Sequence, residues 1–272
     1  MYDLNMKEIK FPEGLMPLDI FVSSIAKERA TETIEGRNGI VDYGTNYVDR
    51  SVELSMWINS SDTTDYRLLR NELYALFDTG NTFYIEETRV PSRVLKVAVD
   101  ESFIPDRLTI RNASVDVTCR TLDSVFWESK YTTLELHDSG YAHSAEKYGL
   151  VDNIDDEKIK YRFTQNNFTV YNAGNVTVEP ESMYINILFW YCSIPGGKMT
   201  IKNLTTGDVL EINRTENRRH IRQDGINITV GGVNRFRDTN RRFISLAPGD
   251  NRFEITGATF DEVRIDFKYY FK

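Results

Sequence analysis

IEGRNGIVDYGTNYVDRSVELSMWINSSDTTDYRLLRNELYALFDTGNTF, residues 34–83, changes its apolar rhythm twice, and those changes decide the fold. In its first third Gly39 and Gly44 punctuate two short apolar pieces, Ile40-Val41 and Tyr47-Val48. A tight turn is expected at Gly44-Thr45-Asn46. Val52, Leu54, Met56 and Ile58 then alternate with Ser51, Glu53 and Ser55, the period of a half-buried strand. Beyond Ile58 the spacing lengthens. Tyr66, Leu69, Leu73, Leu76 and Phe77 fall on one helical face. Ser61 or Asp62 can cap the start of that helix and Gly80 can close it in a left-handed turn. A helix near 62–79 follows, and it is the only strong helix signal in the chain.

Upstream, residues 1–36 show no clean period, and the expectation there is an irregular arm with one strand near Ile20 to Ile25. Downstream, Phe83 and Ile85, then Leu95, Val97 and Val99, then Val115, Val117 and Cys119 mark short strands bounded by turn residues. Residues 1–130 therefore read as a β-sheet domain with one packed helix. From 131 to 160 the pattern fades into a polar linker or arm with an acidic cluster at Asp152, Asp155, Asp156 and Glu157. Residues 161–272 read as strand after strand, and spacings of 8–12 residues with turn signals predict a β-sandwich. Within it, the run Tyr184 to Tyr191 is apolar at successive positions and predicts a central strand covered on both faces. The fold class is mainly β, in two domains.

The 272 residues are 40% hydrophobic and 12% aromatic, enough for two cores. No run of about 18 apolar residues occurs, so no membrane span is expected. The opening MYDLNMKEIKF lacks the layout of a signal peptide, which predicts a chain made and kept in a cytoplasm. Cys119 and Cys192 sit in apolar runs and read as buried free thiols. The net charge of −8 is uneven: residues 161–272 carry 15 Lys/Arg and 12 Asp/Glu, leaving 18 and 29 of the chain's 33 and 41 to residues 1–160. The first 160 residues are thus at −11 and the rest at +3, and an acidic half repels nucleic acid.

Few residues group as chemistry would require. His137, Asp138, His143 and Glu146 could hold a cation, but their spacing fits no strong motif and they lie in the polar linker. Arg214, Arg218, Arg219, Arg222, Arg235, Arg237, Arg241 and Arg242 form a dense set. It reads either as a contact for an acidic partner or as a solvated region paired with Glu216, Asp224 and Asp238. Trp190 and Tyr191 could stack on a sugar, but an apolar run favours core packing. Trp57 and Trp127 read as core or interface. The Asn-x-Ser/Thr triplets at Asn112, Asn167, Asn175, Asn203, Asn213 and Asn227 read as turns. Glu86 and Glu87 point to opposite faces of a strand and cannot act as a pair. No catalytic residues, cofactor or metal are expected, and the chain does not read as an enzyme.

GRNGIVDYGTNYVDRSVELSMWI, YRLLRNELYALF and TFYIEETRVPSRVLKVAV, followed by FTVYNAGNVTVEPESMYI, IKNLTTGDVLEI, FISLAPGDNRFEITG and VRIDFKYYF, resemble the siphophage distal tail protein (Dit) family in order and spacing over nearly the whole chain. The resemblance implies a hub at the distal end of a long non-contractile phage tail, synthesised in the host bacterial cytoplasm and assembled into the virion. It implies that the N-terminal domain forms a homohexameric ring and that the C-terminal domain is a galectin-like or carbohydrate-binding-module-like sandwich. Implied partners are the tail tube protein, the tail-associated tip protein and a receptor-binding protein, with DNA passing through the ring without specific binding. Ring closure joins unlike patches of identical subunits, and the patch is expected around Arg37, Gly39, Tyr47 and Arg50. Arg218, Arg219, Arg222, Arg241 and Arg242 are the expected partner contacts. Some relatives carry sugar-binding insertions in the C-terminal domain, for which this chain has no room. The alternative is a carbohydrate-binding adhesion module of a phage or bacterial surface complex, which an aromatic-lined open groove would favour.

Overall fold

The structure is a computed structural model that describes residues 1–78, 82–139 and 156–272. The chain divides into two compact units, residues 1–87 with 94–125, and residues 88–93 with 126–272.

The first unit is built on strands Leu15–Val22 (β1), Lys27–Glu32 (β2), Val41–Tyr47 (β3), Ser51–Asn59 (β4), Phe83–Glu86 (β5), Arg93–Val99 (β6), Asp106–Arg107 (β7) and Asn112–Thr121 (β8), with the helix Thr63–Phe77 (α1) after β4. β4 lies between β1 and β8, β6 pairs with the far end of β8 and β5 with β6, all antiparallel. The alternation read in β4 has its physical counterpart: Val52, Leu54, Met56 and Ile58 are buried, and Val52, Leu54 and Met56 sit opposite Cys119, Val117 and Val115 of β8. α1 lies against β4 and buries Tyr66, Leu69, Leu73 and Phe77. Asp62 caps the helix by accepting from the backbone N–H of Thr64 (2.7 Å) and Asp65 (2.9 Å). The helix ends with the N–H of Asp78 donating to Tyr74 (2.8 Å); Gly80 lies outside the described residues.

Two expectations fail upstream. Gly44 does not turn the chain: β3 runs straight through it, with φ +119°. The register passes from Ala30 opposite Gly44 to Thr31 opposite Asp42, so Tyr43 is an extra residue and the site is a β-bulge. The turn comes earlier, between β2 and β3, where Gly36 and Gly39 both adopt positive φ. The irregular arm also holds two strands, β1 and β2. β2 was invisible because KERATE has no apolar alternation, every one of its residues being exposed.

The second unit contains Trp127–Ser129 (β9), Arg162–Phe163 (β10), Asn167–Asn172 (β11), Ile185–Ile194 (β12), Met199–Asn203 (β13), Asp208–Ile212 (β14), Glu216–Asp224 (β15), Asn227–Val230 (β16), Val233–Asn234 (β17), Gly249–Thr256 (β18), Glu262–Phe267 (β19) and Tyr270–Phe271 (β20). A six-stranded sheet in the order β10-β19-β12-β15-β16-β17 and a four-stranded sheet in the order β11-β18-β13-β14 enclose one core. Ile185, Ile187 and Phe189 of β12 and Val263, Ile265 and Phe267 of β19 fill it from one sheet. Ile201, Phe253 and Ile255 fill it from the other. The segment expected as a polar linker contributes to this unit: residues 133–139 are helical, and Leu136 and Ile159 are buried in the core. β12 is central in its sheet, as expected, but is not covered on both faces. Asn186, Leu188 and Trp190 are half-buried on its outer side and Tyr191 is exposed.

Both cysteines are free and buried. Burial pushes each thiol up to about 12. Among the described residues no helix is long and apolar enough to cross a membrane.

Candidate assembly surfaces

The β2–β3 hairpin packs neither face on the first unit's core. All of β2 and all of β3 except Val41 are exposed. Yet the hairpin and its flanks carry large apolar side chains: Ile40 is 69% exposed, Tyr43 62% and Tyr47 40%. What order it has is local. Arg29 pairs with Asp42 at 3.7 Å, and the Lys27 ammonium lies 5.8 Å from the Tyr47 ring centre. The Tyr43 hydroxyl donates to Glu32 (2.6 Å), which with slight burial holds its phenol proton above the usual range. An isolated two-stranded hairpin is at best marginal in water. Large apolar side chains gathered on an arm with no core beneath it make that arm a candidate contact surface.

The hairpin is tied down at its base. The N–H of Ala26 donates to Asp49 (2.8 Å) and the N–H of Val48 returns to Ala26 (2.9 Å). Arg50 is only 8% exposed, its Nε donating to the carbonyl of Ser23 (2.9 Å) and its backbone N–H to the Thr121 hydroxyl (3.0 Å). Burial lowers its pKa. The four residues expected at the ring patch therefore have two roles. Arg37 and Gly39 lie exposed in the hairpin turn and Tyr47 on β3, whereas Arg50 anchors the hairpin to the sheet.

A second apolar surface was missed in the sequence. The connection between β6 and β8 exposes Ile104, Leu108 and Ile110 while tucking Phe103 against Tyr74 (5.6 Å) and Phe77 (5.8 Å) of α1. Arg107 lies over Tyr66 at 4.5 Å. Pro105-Asp106 read simply as a connection, and three isolated apolar residues there have no period to betray them.

In the second unit the arginines divide. Arg214 pairs with Glu216 and with Asp238 (3.1 Å), and Arg218 with Asp261 (3.0 Å). Arg218, Arg219 and Arg222 are exposed on β15, while Arg241 and Arg242 are exposed in the connection to β18. Of the residues weighed as metal ligands, His143 and Glu146 lie outside the described residues. His137 Nδ1 lies 3.2 Å from the carbonyl of Ile159, and Asp138 accepts from Arg162 (2.8 Å). Among the described residues no His, Cys, Asp and Glu group could hold a metal ion. Trp190 and Tyr191 are not core residues; they lie on the outer side of the six-stranded sheet because the inward positions of β12 belong to Phe189 and Cys192.

Residues 5–119 match the family of the phage tail protein RIFT-related domain. No curated protein sequence matches the chain. Among solved structures, the chain is similar to the SPP1 Dit protein (gp 19.1), described as a paradigm of the hub adsorption apparatus in phages infecting Gram-positive bacteria. The TM-score is 0.67 at 14% identity, over 96% of this chain and 95% of that one. Two structures of the phage p2 baseplate in its activated conformation, with Sr and with Ca, align at TM-score 0.40. Their identities are 10% and 9%, over 94% of this chain and 90% of theirs. The chain shares the fold of the SPP1 Dit protein through both of its units, in agreement with the resemblance read from the sequence.

Proposed function

We propose that this chain is the structural hub of a phage tail tip, closing into a hexameric ring that joins the tail tube to the tip and adsorption apparatus. The observation that carries the proposal is the β2–β3 hairpin, an ordered arm with apolar side chains and no face packed on its own unit. Identical subunits close a ring when an arm on one meets a different surface on the next, a heterologous contact. The exposed Ile104, Leu108 and Ile110 offer such an unlike surface on the same unit. The charge of −11 on residues 1–160 supports passage of DNA through the ring, since phosphates find few cations to bind. Its virion partners are then the tail tube and tail-associated tip proteins, with a receptor-binding protein carried at the periphery.

The test removes the arm. Replacing residues 28–46 by Asn-Gly joins Lys27 to Tyr47, which already face each other across the ladder, through a hairpin turn. Sedimentation velocity and negative-stain microscopy over a concentration series should show rings for the native chain and folded monomers for the shortened one. Rings from the shortened chain, or a closed native dimer with a large apolar interface, would refute the assignment.

A further inference from the structure

The connection between β2 and β3 carries the chain's one Asn-Gly pair, Asn38-Gly39. An asparagine side chain can be attacked by the backbone nitrogen of the residue that follows it. A glycine in that place has no Cβ to block the approach and the widest choice of backbone angles. Whether the reaction runs then depends on whether the fold leaves those atoms free to meet.

At Asn38 it does. β2 ends at Glu32 and β3 begins at Val41, and residues 33–40 between them are all exposed. Among the described residues the backbone bonding of this connection is limited to the N–H of Arg37 donating to Ile34 (3.1 Å). Neither the Asn38 carboxamide nor the Gly39 N–H has a hydrogen-bond partner there. Gly39 is at φ +93°, and a Cβ built on it would meet nothing within 4 Å, so the space around the peptide is open.

Two other pairs supply the contrast. Asn59 is followed by the small Ser60, but the N–H of Ser60 donates to Arg111 (2.8 Å) and that of Asn59 to Gly14 (2.8 Å). Asp224 is followed by Gly225, but the N–H of Gly225 donates to Ile185 (2.9 Å), and Asp224 stands in the ladder between Asn186 and Asn227. In both pairs a carbonyl holds the attacking nitrogen and strands fix the backbone. Neither restraint acts on Asn38.

We propose that Asn38 is a self-modification site, which turns to isoaspartate and aspartate in the unassembled chain and so ages the arm. The Gly39 amide nitrogen gives up its proton to hydroxide and bonds to Asn38 Cγ. The carboxamide C–N bond breaks, and its nitrogen leaves as ammonia after taking a proton from water. Water then opens the cyclic imide. Opening at the main-chain carbonyl gives isoaspartate, and opening at Cγ gives aspartate. In sum a water enters and an ammonia leaves, with no oxidant or metal. Either product puts a carboxylate between Arg37 and Gly39, and isoaspartate also lengthens the path from β2 to β3. The effect on assembly rests on the arm being the ring contact; the chemistry does not.

The test starts from full-length protein in a fraction that sedimentation velocity shows to be monomeric. It is held at mildly alkaline pH in water enriched in heavy oxygen and followed by peptide mass spectrometry. The Asn38 peptide should take up the label and split into two isomers well before the Asn59 peptide changes. Gly39→Ala should slow the conversion at least about tenfold, since a Cβ shields the nitrogen and narrows the backbone's range. Asn38→Gln should not convert on the same timescale. Conversion at Asn38 no faster than at Asn59, or undiminished in Gly39→Ala, would overturn the assignment. Aged and fresh samples are then concentrated. The aged native chain should form fewer rings than the fresh one, and Asn38→Gln treated alike should lose nothing. Equal assembly of aged and fresh native chain would overturn the ageing of the arm. Failure of the fresh chain to form rings would count against the ring itself, with the site still decided by mass.

Discussion

Leu68 and Leu73 lie on the same helix and differ in burial alone, which makes them a controlled pair. Leu73 is fully buried beneath α1, whereas Leu68 is 57% exposed. Truncating a buried leucine to alanine removes its transfer free energy and leaves a cavity, a cost of about 2–5 kcal/mol. Leu73 points into the layer between α1 and β4, where regular strands leave little room to collapse, so a value of ~3 kcal/mol is expected. For a unit of this size each kcal/mol moves the midpoint by roughly 4 °C, so the first unit's transition should fall by about 12 °C. Leu68→Ala should stay within about 0.5 kcal/mol, because little surface is lost and alanine is the better helix former. Thermal melts by circular dichroism, checked by urea midpoints, measure both. If the two variants fell equally, or if Leu73→Ala cost less than about 1 kcal/mol, the helix would not be bracing the sheet.

Other perturbations test other joints. Asp62→Ala should cost about 1 kcal/mol by removing the acceptor for two N–H groups, and Asp62→Asn should restore most of it, read from urea midpoints. Gly257→Ala should destabilise the second unit by about 3 kcal/mol or more, since at φ +77° the added methyl would sit 2.1 Å from the Lys198 carbonyl oxygen. Gly44→Ala meets nothing within 4 Å, but at φ +119° it strains the backbone, so it should loosen the β2–β3 hairpin by about 1–3 kcal/mol, read from amide exchange of the hairpin. Cys119 and Cys192 should resist thiol reagents in the folded protein at pH 8 and react fully in urea. Their folded thiols keep their protons to about pH 12, whereas unfolded ones lose them from about 9 upward. The unfolded state then binds fewer protons, so stability should fall as pH rises through that window.

The legible parts of this chain are those where one residue's environment is set by its near neighbours. β4 could be read because every second side chain faces one core, and α1 because a 3.6 period and an Asp62 cap are local facts. Gly44 was misread for a physical reason: a hairpin turn and a bulge both call for positive φ, and the residue type cannot say which. The outer side of β12 was misread for another. Leu188 and Trp190 look like core in a list of apolar residues. Only the register and the ring contacts show that Leu188 lies between Arg222 and Arg264, and that Arg264 and His220 lie against Trp190 on the outer side of the sheet.

The hairpin was the hardest to read, and the reason bears on function. Core strands announce themselves because their partners are in the same sequence, so burial imposes a period. β2 and β3 pair with each other along the main chain, but their side chains face no core and are almost all exposed. No period is imposed on KERATE, and Tyr43 and Tyr47 are spaced by a bulge rather than by a core. The first unit does not need these residues to close its core, since β4, β8 and α1 already bury one another's apolar faces. Arg50 nevertheless spends a buried guanidinium on holding the hairpin in place, with Nη1 left without a partner among the described residues. Burying a charge that way is costly unless the geometry it fixes is used. A fixed, apolar arm that stabilises nothing within its own unit is explained if the surface that completes it is supplied by another copy of the chain.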